Sequence, residues 1–332
     1  MKGELITPDG EILRGRLIFD GETLSFEECE CEPEFVFAPT FFNAHTHLGD
    51  SVAKDPPFLS LEELVGPKGY KFKVLDESSE NELVDGMRSS IEIAFESGTT
   101  ALLDFREGGS FGLSLLKRAD DLGICLPLAR PSSLEEAEVL IEKAMGFGMS
   151  STRDHDFEFL EELREIARRH GKIFAIHAGE RDDEDVESAL TLDPDLLVHM
   201  NMADESSLKI AIDEGIPIVS CIRSNSFFDL LNPKNYRILA EYDRWLLGTD
   251  NVMIAKPSML DEMHFASLIV KNDLAIFKAS VRGFELFGER MGLIVFHRRK
   301  NFRKSKDLIA TLVRRAGVED VKIIFTYFCL VI

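Results

Sequence analysis

The feature that most constrains the fold is a regular alternation of short apolar runs with helical stretches, which begins at about residue 38. Short apolar runs separated by amphipathic stretches are typical of the strands of repeated strand–helix units. We therefore predict strands over residues 41–44, 99–105, 124–129, 146–150, 173–177, 196–199, 218–221 and 245–249.

Three of the stretches between these runs end at a glycine. They are 79–97, 157–170 and 205–214, which are followed by Gly98, Gly171 and Gly215. Glycine is preferred in the left-handed conformation that ends a helix. The sequence therefore predicts helices that lie between the strands and stop at these glycines.

Eight strands that alternate with helices over about 250 residues favour a (β/α)8 TIM barrel. An open doubly wound sheet is the alternative, but it would usually carry a glycine-rich phosphate-binding turn after its first strand, and none occurs there. The segment 54–77 is too long for an ordinary connection between a strand and a helix. We expect it to form a lid or wall over a site.

The two ends of the chain carry strand-like runs that do not fit the barrel pattern. Residues 1–38 alternate short strands with turns, and strand-like runs return after residue 288. Because so few strands are not stable alone, we predict that 1–38 and 289–332 form one small β-sandwich domain beside a barrel of residues 39–288. The apolar tail 325–332 is predicted to contact another subunit of a homo-oligomer.

The charge balance limits the partners of the protein. The 332 residues include 38 Lys and Arg against 59 Asp and Glu, a formal net charge of −21, whereas nucleic acid and anionic membranes are bound by clustered cations. No apolar run approaches the roughly 20 residues that span a bilayer, and the N-terminus has no signal-peptide pattern. We therefore expect a cytoplasmic protein that acts on a small molecule.

Histidine and aspartate residues lie at the ends of four predicted strands. His45 and His47 follow the first apolar run, and because strand side chains alternate, both rings should point the same way, as two ligands of one metal do. The other strand-end residues are His177, His199 and Asp250. Each of them alone has an ordinary structural explanation.

The spacing of these residues supports a shared site. His47 and His177 are 130 residues apart, which is four strand–helix units of about 32 residues each, and His199 and Asp250 follow after one and two further units. The residues therefore fall at the ends of strands 1, 5, 6 and 8. In a barrel those ends meet at one mouth, where catalytic residues of this fold lie. We predict a metal site there.

Taken together, these motifs resemble those of the amidohydrolase superfamily, in the branch that contains cytosine, guanine and S-adenosylhomocysteine deaminases and triazine chlorohydrolases. The resemblance rests on segment 38–47, the His177-x-x-Glu180 motif, and segments 221–225 and 248–251. The fourth strand offers no lysine, the residue that bridges two metals in other members, which favours one ion. The resemblance implies a single divalent metal, zinc first and iron as the alternative, held by His45, His47, His177 and Asp250.

The resemblance also implies that Glu180 and His199 are catalytic. The metal would lower the pKa of a bound water to about 7, and Asp250 would accept its proton. Glu180 would protonate a ring nitrogen and His199 would stabilise the developing oxyanion before ammonia leaves. The predicted activity is hydrolytic deamination of a purine-, pterin- or pyrimidine-like substrate. The alternatives are hydrolysis of a C–Cl bond, a cyclic amide or a guanidine C–N bond, or a catalytically silent metal-binding relative.

Five arginines follow predicted strands at the same mouth. A surface ion pair is the ordinary role of any one of them, but together in so acidic a chain they suggest contacts with an anionic group of the substrate. They are Arg106, Arg130, Arg153, Arg181 and Arg223. Asn225 and His155 are further substrate-binding candidates. Cytosine and guanine deaminases of the family bind their base with a glutamine, and this chain has none, which disfavours those two substrates.

Overall fold

A parallel sheet of nine strand segments lies at the centre of the protein. The computed structural model describes residues 1–21, 23–66, 68–326 and, by backbone only, 330–331. The strands are β1 Lys2–Ile6, β2 Ile12–Phe19, β3 Leu24–Glu28, β4 Phe35–Pro39, β5 Phe41–His47, β6 Thr99–Arg106, β7 Cys125–Ala129, β8 Gly146–Met149, β9 Ile173–Ala178, β10 Leu196–His199, β11 Ile218–Ser220, β12 Trp245–Leu247, β13 Asp250–Asn251, β14 Leu293–His297, β15 Val321–Phe325 and β16 Leu330–Val331. The helices are α1 Leu61–Val65, α2 Tyr70–Glu77, α3 Glu80–Glu96, α4 Gly109–Ala119, α5 Leu134–Leu140, α6 Phe157–Arg169, α7 Val186–Thr191, α8 Glu205–Asp213, α9 Ile222–Phe227, α10 Pro233–Leu239, α11 Met259–Val270, α12 Asp273–Val281, α13 Gly283–Leu286 and α14 Leu308–Arg315.

The central sheet runs in the order β12-β11-β10-β9-β8-β7-β6-β5-β13. β12 and β13 are two parts of the eighth strand. β12 pairs with β11, and β13 pairs with β5 so that Asp250 lies opposite Thr46. The eighth strand therefore joins both edges of the sheet. The predicted (β/α)8 barrel is confirmed, and each of its eight predicted strands is present.

A side chain of β5 bridges the interruption in the eighth strand. The side-chain oxygen of Asn43, Oδ1, accepts a hydrogen bond from the Thr249 backbone N–H at 3.0 Å. The side-chain nitrogen of Asn43 donates to the Thr249 hydroxyl at 2.7 Å. The predicted strand 245–249 is therefore shorter, while β5 extends beyond its predicted end and carries His45 and His47 within the strand. The alternation of strand residues did not indicate either change.

The helices form where the sequence predicts them. Stretch 79–97 contains α3, whose Ser79 side chain accepts a hydrogen bond from the Glu82 backbone while the Glu82 carboxylate accepts one from Ser79. This reciprocal capping satisfies two backbone donors that a helix start would otherwise leave free. Gly98 follows with φ of 92°, a conformation in which any other residue would be strained. Helices α6 and α8 occupy the other two predicted stretches.

Alternation along β9 shows how the barrel directs its side chains. Phe174 and Ile176 belong to the apolar cluster that also contains Leu160 and Leu163 of α6, whereas the intervening Ala175 belongs to a second cluster inside the barrel. Successive strand side chains point to opposite faces. His177 is therefore directed to the inside, at the carboxyl end of its strand.

Strands from both ends of the chain form a second sheet. Its order is β15-β14-β4-β1-β2-β3-β16, so the N- and C-terminal strands are hydrogen-bonded into one continuous sheet. Helix α14, which lies in the C-terminal segment, packs against α11 and α12 of the barrel. The boundaries 1–38, 39–288 and 289–332 remain predictions. The predicted subunit contact of the tail involves residues 327–329 and 332, which lie outside the described residues.

The segment 54–77 forms α1 and α2 and lines one side of the central cavity, as expected of a wall. None of the helices within the described residues is long and apolar enough to cross a bilayer. The cytoplasmic location and the homo-oligomer remain predictions.

Candidate functional site

The rings of His45 and His177 lie side by side at the mouth of the barrel. Their Nε2 atoms are 3.2 Å apart, and both side chains are buried. His177 Nδ1–H donates to the Met149 carbonyl oxygen at 2.7 Å, so the lone pair of His177 Nε2 faces His45. A bond of this kind from the second ring nitrogen commonly orients a metal-ligating histidine.

Asp250 completes the cluster from the eighth strand. Its Oδ1 lies 3.2 Å from His45 Nε2 and 3.5 Å from His47 Nε2, and its Oδ2 accepts a hydrogen bond from the Ser224 hydroxyl at 2.5 Å. Burial opposes ionisation, but the hydrogen bond and charge of His45, with the charges of the other histidines, hold the Asp250 pKa well below its usual range. Its φ of 58° is unusual outside glycine, and such strain is concentrated at functional sites.

Two groups of possible metal ligands share His45: one is His45, His47 and Asp250, and the other is His45, His177 and His199, each with its ligand atoms within 4.8 Å of one another. Zinc bound tetrahedrally by nitrogen at about 2.0–2.1 Å places neighbouring ligand atoms roughly 3.3 Å apart. The three pairs His45–His177, His45–Asp250 and His47–Asp250 have separations of 3.2, 3.2 and 3.5 Å, close to that value. Burial, together with neighbouring positive groups, lowers the pKa of His47 to about 4 and that of His177 well below its usual value. Both rings are therefore neutral at physiological pH, as metal ligands must be. The donor set suits zinc or iron.

Glu180 and His199 face each other beside the cluster. Glu180 Oε1 is 3.5 Å from His199 Nε2. Burial and the negative charges of Asp250 and Asp185 raise the Glu180 pKa well above its ordinary value, so this carboxyl group holds its proton at a higher pH than usual. Burial lowers the His199 pKa to about 3. The pair thus offers a carboxyl group with a raised pKa and a neutral imidazole, which are the groups that proton donation and oxyanion stabilisation use.

A cavity of about 520 Å³ opens over these groups. His47, His177, Glu180, His199 and Asp250 all line it. Apolar side chains from the wall segment line another part of the same cavity; they are Leu61, Val65 and Phe72. The cavity is large enough for a heterocyclic substrate and its substituents.

Three of the five predicted arginines line this cavity. Arg153 and Arg181 both form ion pairs with Asp182. Arg130 donates from Nε to the Gly148 carbonyl oxygen at 3.2 Å, and its Nη1 lies 3.6 Å from the nearest carboxylate oxygen, on Glu107. Arg130 is therefore the arginine of the three whose charge is least neutralised by the protein. His155 also lines the cavity and lies 2.9 Å from the Ser150 hydroxyl.

The other predicted substrate contacts lie behind the cavity. Arg106 is buried, with Nη2 3.1 Å from Glu107 and Nη1 3.5 Å from Asp104. Arg223 Nε donates to the buried Glu262 carboxylate at 2.6 Å. Asn225 is fully buried and contacts His199. None of the three belongs to the residues that line the cavity.

The sequence reasoning missed two charged residues that contact the site. Glu107 Oε1 lies 3.2 Å from His47 Nδ1 and accepts a hydrogen bond from the Lys71 ammonium group at 2.7 Å. Lys71, on α2 of the wall, is buried and also pairs with Asp50 at 3.1 Å. Glu107 follows a predicted strand, as the histidines do, and that signal could have identified it. Lys71 lies on α2, within the segment 54–77 that the sequence predicted only as a lid or wall, so no strand-end spacing pointed to it.

Comparison with known proteins identifies the family of the chain. The model of the amidohydrolase family matches residues 36–294. An Archaeoglobus fulgidus protein named as an aminohydrolase is 49% identical over 96% of this chain and 94% of its own. A Methanothermobacter thermautotrophicus protein with the same name is 31% identical over 80% of this chain and 75% of its own.

Solved structures share the fold at low sequence identity. An adenosine deaminase from Xanthomonas campestris with bound zinc has a TM-score of 0.76 at 16% identity, covering 97% of this chain and 90% of its own. An atrazine chlorohydrolase from Arthrobacter aurescens complexed with zinc has a TM-score of 0.78 at 14% identity, covering 97% and 92%. By its family and relatives the protein is a hydrolase that acts on carbon–nitrogen bonds. The chain belongs to the amidohydrolase family.

Proposed function

We propose that this protein is a metal-dependent aminohydrolase that removes an amino group, as ammonia, from a heterocycle. The observation that carries the proposal is that Glu180 and His199 lie 3.5 Å apart in a cavity that His47, His177 and Asp250 also line. A metal-binding scaffold without activity would not need a protonated carboxyl group and a neutral imidazole in that position. A divalent metal in the cluster would supply an activated water with a pKa of about 7.

The residues of the chain divide the proton transfers between them. Asp250 is ionised and points into the cluster, so it can accept a proton from the attacking water. The raised pKa of Glu180 suits it to donate a proton to the ring nitrogen next to the carbon under attack. His199 can donate a hydrogen bond to the oxygen that adds to this carbon. Asp250 then passes its proton to the amino group, which leaves as ammonia, and the added oxygen gives its remaining proton to Glu180 as the carbonyl group forms.

Zinc is the proposed metal, with iron as the alternative. Histidine nitrogens and one carboxylate form an ordinary catalytic zinc set, and two structural neighbours contain zinc. β8 carries Gly146, Phe147, Gly148 and Met149 and thus offers no lysine to bridge a second ion. A single metal is proposed for this reason.

The proposed substrate is a purine-, pterin- or pyrimidine-like ring that carries an anionic group. The apolar residues of the wall suit the face of a ring, and Arg130 at the mouth suits a carboxylate or phosphate. Hydrolysis of a C–Cl, cyclic amide or guanidine C–N bond at the same metal is the second candidate. The fold shared with an atrazine chlorohydrolase keeps this candidate open.

Metal analysis combined with a product screen tests the proposal. The purified protein, stripped with a chelator and reloaded with one equivalent of zinc or iron, would be incubated with purines, pterins, pyrimidines and guanidino compounds, with and without anionic substituents. We expect ammonia release that depends on the metal. A metal-loaded protein that releases no ammonia from any of these compounds would contradict the proposal, and release of chloride from chlorinated analogues would support the second candidate.

A further inference from the structure

The two ring nitrogens of His199 have different surroundings. Nε2 faces the cavity and lies 3.5 Å from Glu180 Oε1. Nδ1 faces away from the cavity and lies 3.3 Å from the amide nitrogen of Asn225. A neutral imidazole carries its proton on one nitrogen only. Whether Nε2 can donate a hydrogen bond into the cavity therefore depends on what Asn225 presents to Nδ1.

A hydrogen bond from Tyr236 fixes which end of the Asn225 side-chain amide faces His199. The Tyr236 hydroxyl lies 3.0 Å from Asn225 Oδ1, and both residues are fully buried. Burial raises the Tyr236 pKa above its usual range, so the phenol keeps its proton. If the amide were reversed, this proton would have no acceptor among the described residues, which is unfavourable for a buried group. The amide nitrogen therefore faces His199 and donates to Nδ1.

The position of Asn225 is set by the start of α9. A carboxylate of α11, Glu262, accepts hydrogen bonds from the Ile222 backbone N–H at 2.8 Å and from Arg223 Nε at 2.6 Å. Ser224, which is also on α9, donates from its hydroxyl to Asp250 Oδ2 at 2.5 Å. Two adjacent residues of one short helix thus contact two residues of the proposed active site from behind.

We propose that Asn225 and Tyr236 are positioning residues that hold His199 as the tautomer with its proton on Nε2. Asn225 donates to Nδ1, and Tyr236 keeps the Asn225 amide in the orientation that can donate. His199 then always presents an N–H group to the cavity. The catalytic meaning of this arrangement rests on the proposed function, in which that N–H group stabilises the developing oxyanion. The tautomer itself can be measured whether or not the protein is a deaminase.

Nitrogen-15 NMR of histidine-labelled, zinc-loaded protein tests the tautomer directly. Protonated and unprotonated ring nitrogens resonate in separate regions, and the His199 signals can be assigned by their loss in His199→Asn. We expect the proton on Nε2 in the unmodified protein. In Asn225→Asp the carboxylate accepts instead of donating, so we expect the proton on Nδ1. A proton on Nδ1 in the unmodified protein would overturn the proposal without any variant.

Kinetics with the matched variants provide a second readout. Removing an oxyanion donor typically costs about 10²–10³ in kcat, and we expect a loss of about 100-fold in Asn225→Asp. In Tyr236→Phe one neutral hydrogen bond is lost, so we expect about a 10-fold loss in kcat with a nearly unchanged KM and two mixed tautomers. Metal content should stay the same in both variants.

Tyr242→Phe is the control for general loss of a tyrosine hydroxyl. Tyr242 donates to the Ile216 carbonyl oxygen at 3.0 Å and does not line the cavity. We expect the unmodified tautomer and activity in this variant. An unchanged His199 spectrum in both Tyr236→Phe and Asn225→Asp would refute the positioning role. If no substrate is turned over but the spectra change as expected, the proposed function fails and the positioning role stands.

Discussion

The metal-binding cluster and the arginines around the cavity mouth are held in place by different forces. His45 and Asp250 are buried at the ends of paired strands, and their positions follow from the register of the barrel. Arg181, by contrast, has about half of its side chain exposed (52%) and is held by one adjacent carboxylate. The cluster is thus rigid before substrate binds, whereas the mouth can rearrange at little cost.

The arginines themselves also differ in burial and in how fully their charge is paired. Arg106 is buried (4% exposed) and neutralises two carboxylates behind His47. Arg130 lines the cavity with its charge only partly matched. An identical side chain at the end of a strand therefore supports the site in one case and faces the cavity in the other. The following four variants test this distinction.

The largest effect is expected from His45→Ala. The variant loses a central ligand, so it should bind the metal poorly and lose about 10⁴-fold or more in kcat/KM, because water activation and proton transfer fail together. Metal content by elemental analysis and kcat/KM measure this. His170→Ala is the control, since His170 is a partly exposed residue that pairs with Glu142 at 3.1 Å. Full metal content in His45→Ala would contradict the proposed ligand set.

Glu180→Gln should keep the metal and lose about 10²- to 10⁴-fold in kcat, because the proton donor is removed. The pKa of Glu180 is raised, so the required protonated form persists above the ordinary carboxyl range and disappears as the pH rises through that pKa. The activity of the unmodified protein should therefore fall on the alkaline side. This alkaline decline should be absent in Glu180→Gln, and its persistence with the same midpoint would exclude Glu180 as the acid.

Arg106→Ala should lower the free energy of unfolding. Its removal leaves the buried carboxylate of Asp104 without its ion-pair partner, which typically costs about 3–5 kcal/mol, while Glu107 keeps its pair with Lys71. The free energy of unfolding, measured by urea denaturation with the metal present, should fall by that amount. Arg88→Ala is the control, because Arg88 pairs with Asp85 and Asp121 at the surface and should contribute only about 0–1 kcal/mol. An equal loss of unfolding free energy in both variants would show that the buried and the exposed arginine contribute equally to stability.

The smallest effect is expected from Arg130→Ala, and it should fall on substrate binding alone. Loss of a charge-assisted hydrogen bond should raise KM for an anionic substrate by about 10- to 100-fold. KM for the uncharged analogue should not change. Arg181→Ala provides the comparison, with a change of about twofold or less, because the Asp182 pair is exposed. An unchanged KM in Arg130→Ala would show that this arginine does not bind the substrate.

Much of the fold could be predicted because strand and helix patterns are local. The eight strands and the glycine-terminated helices follow from runs of a few residues, and the wall at 54–77 follows from the length of its segment. The proposed ligands could also be named, since each of them follows or closes an apolar run in the sequence. The split of the eighth strand was missed because it depends on Asn43, which is 206 residues from Thr249 along the chain.

The sequence by itself determined the barrel, the family and the identity of the residues that converge at its mouth, because the period of strand and helix dictates where each strand ends. Only the tertiary structure decided which of the seven predicted substrate contacts face the cavity. It directed Arg106 and Arg223 to buried carboxylates, and it directed Asn225 to the rear of His199. The physical reason is that a buried charge or amide must be paired or hydrogen-bonded. Which partner is within reach depends on how distant segments of the chain pack together.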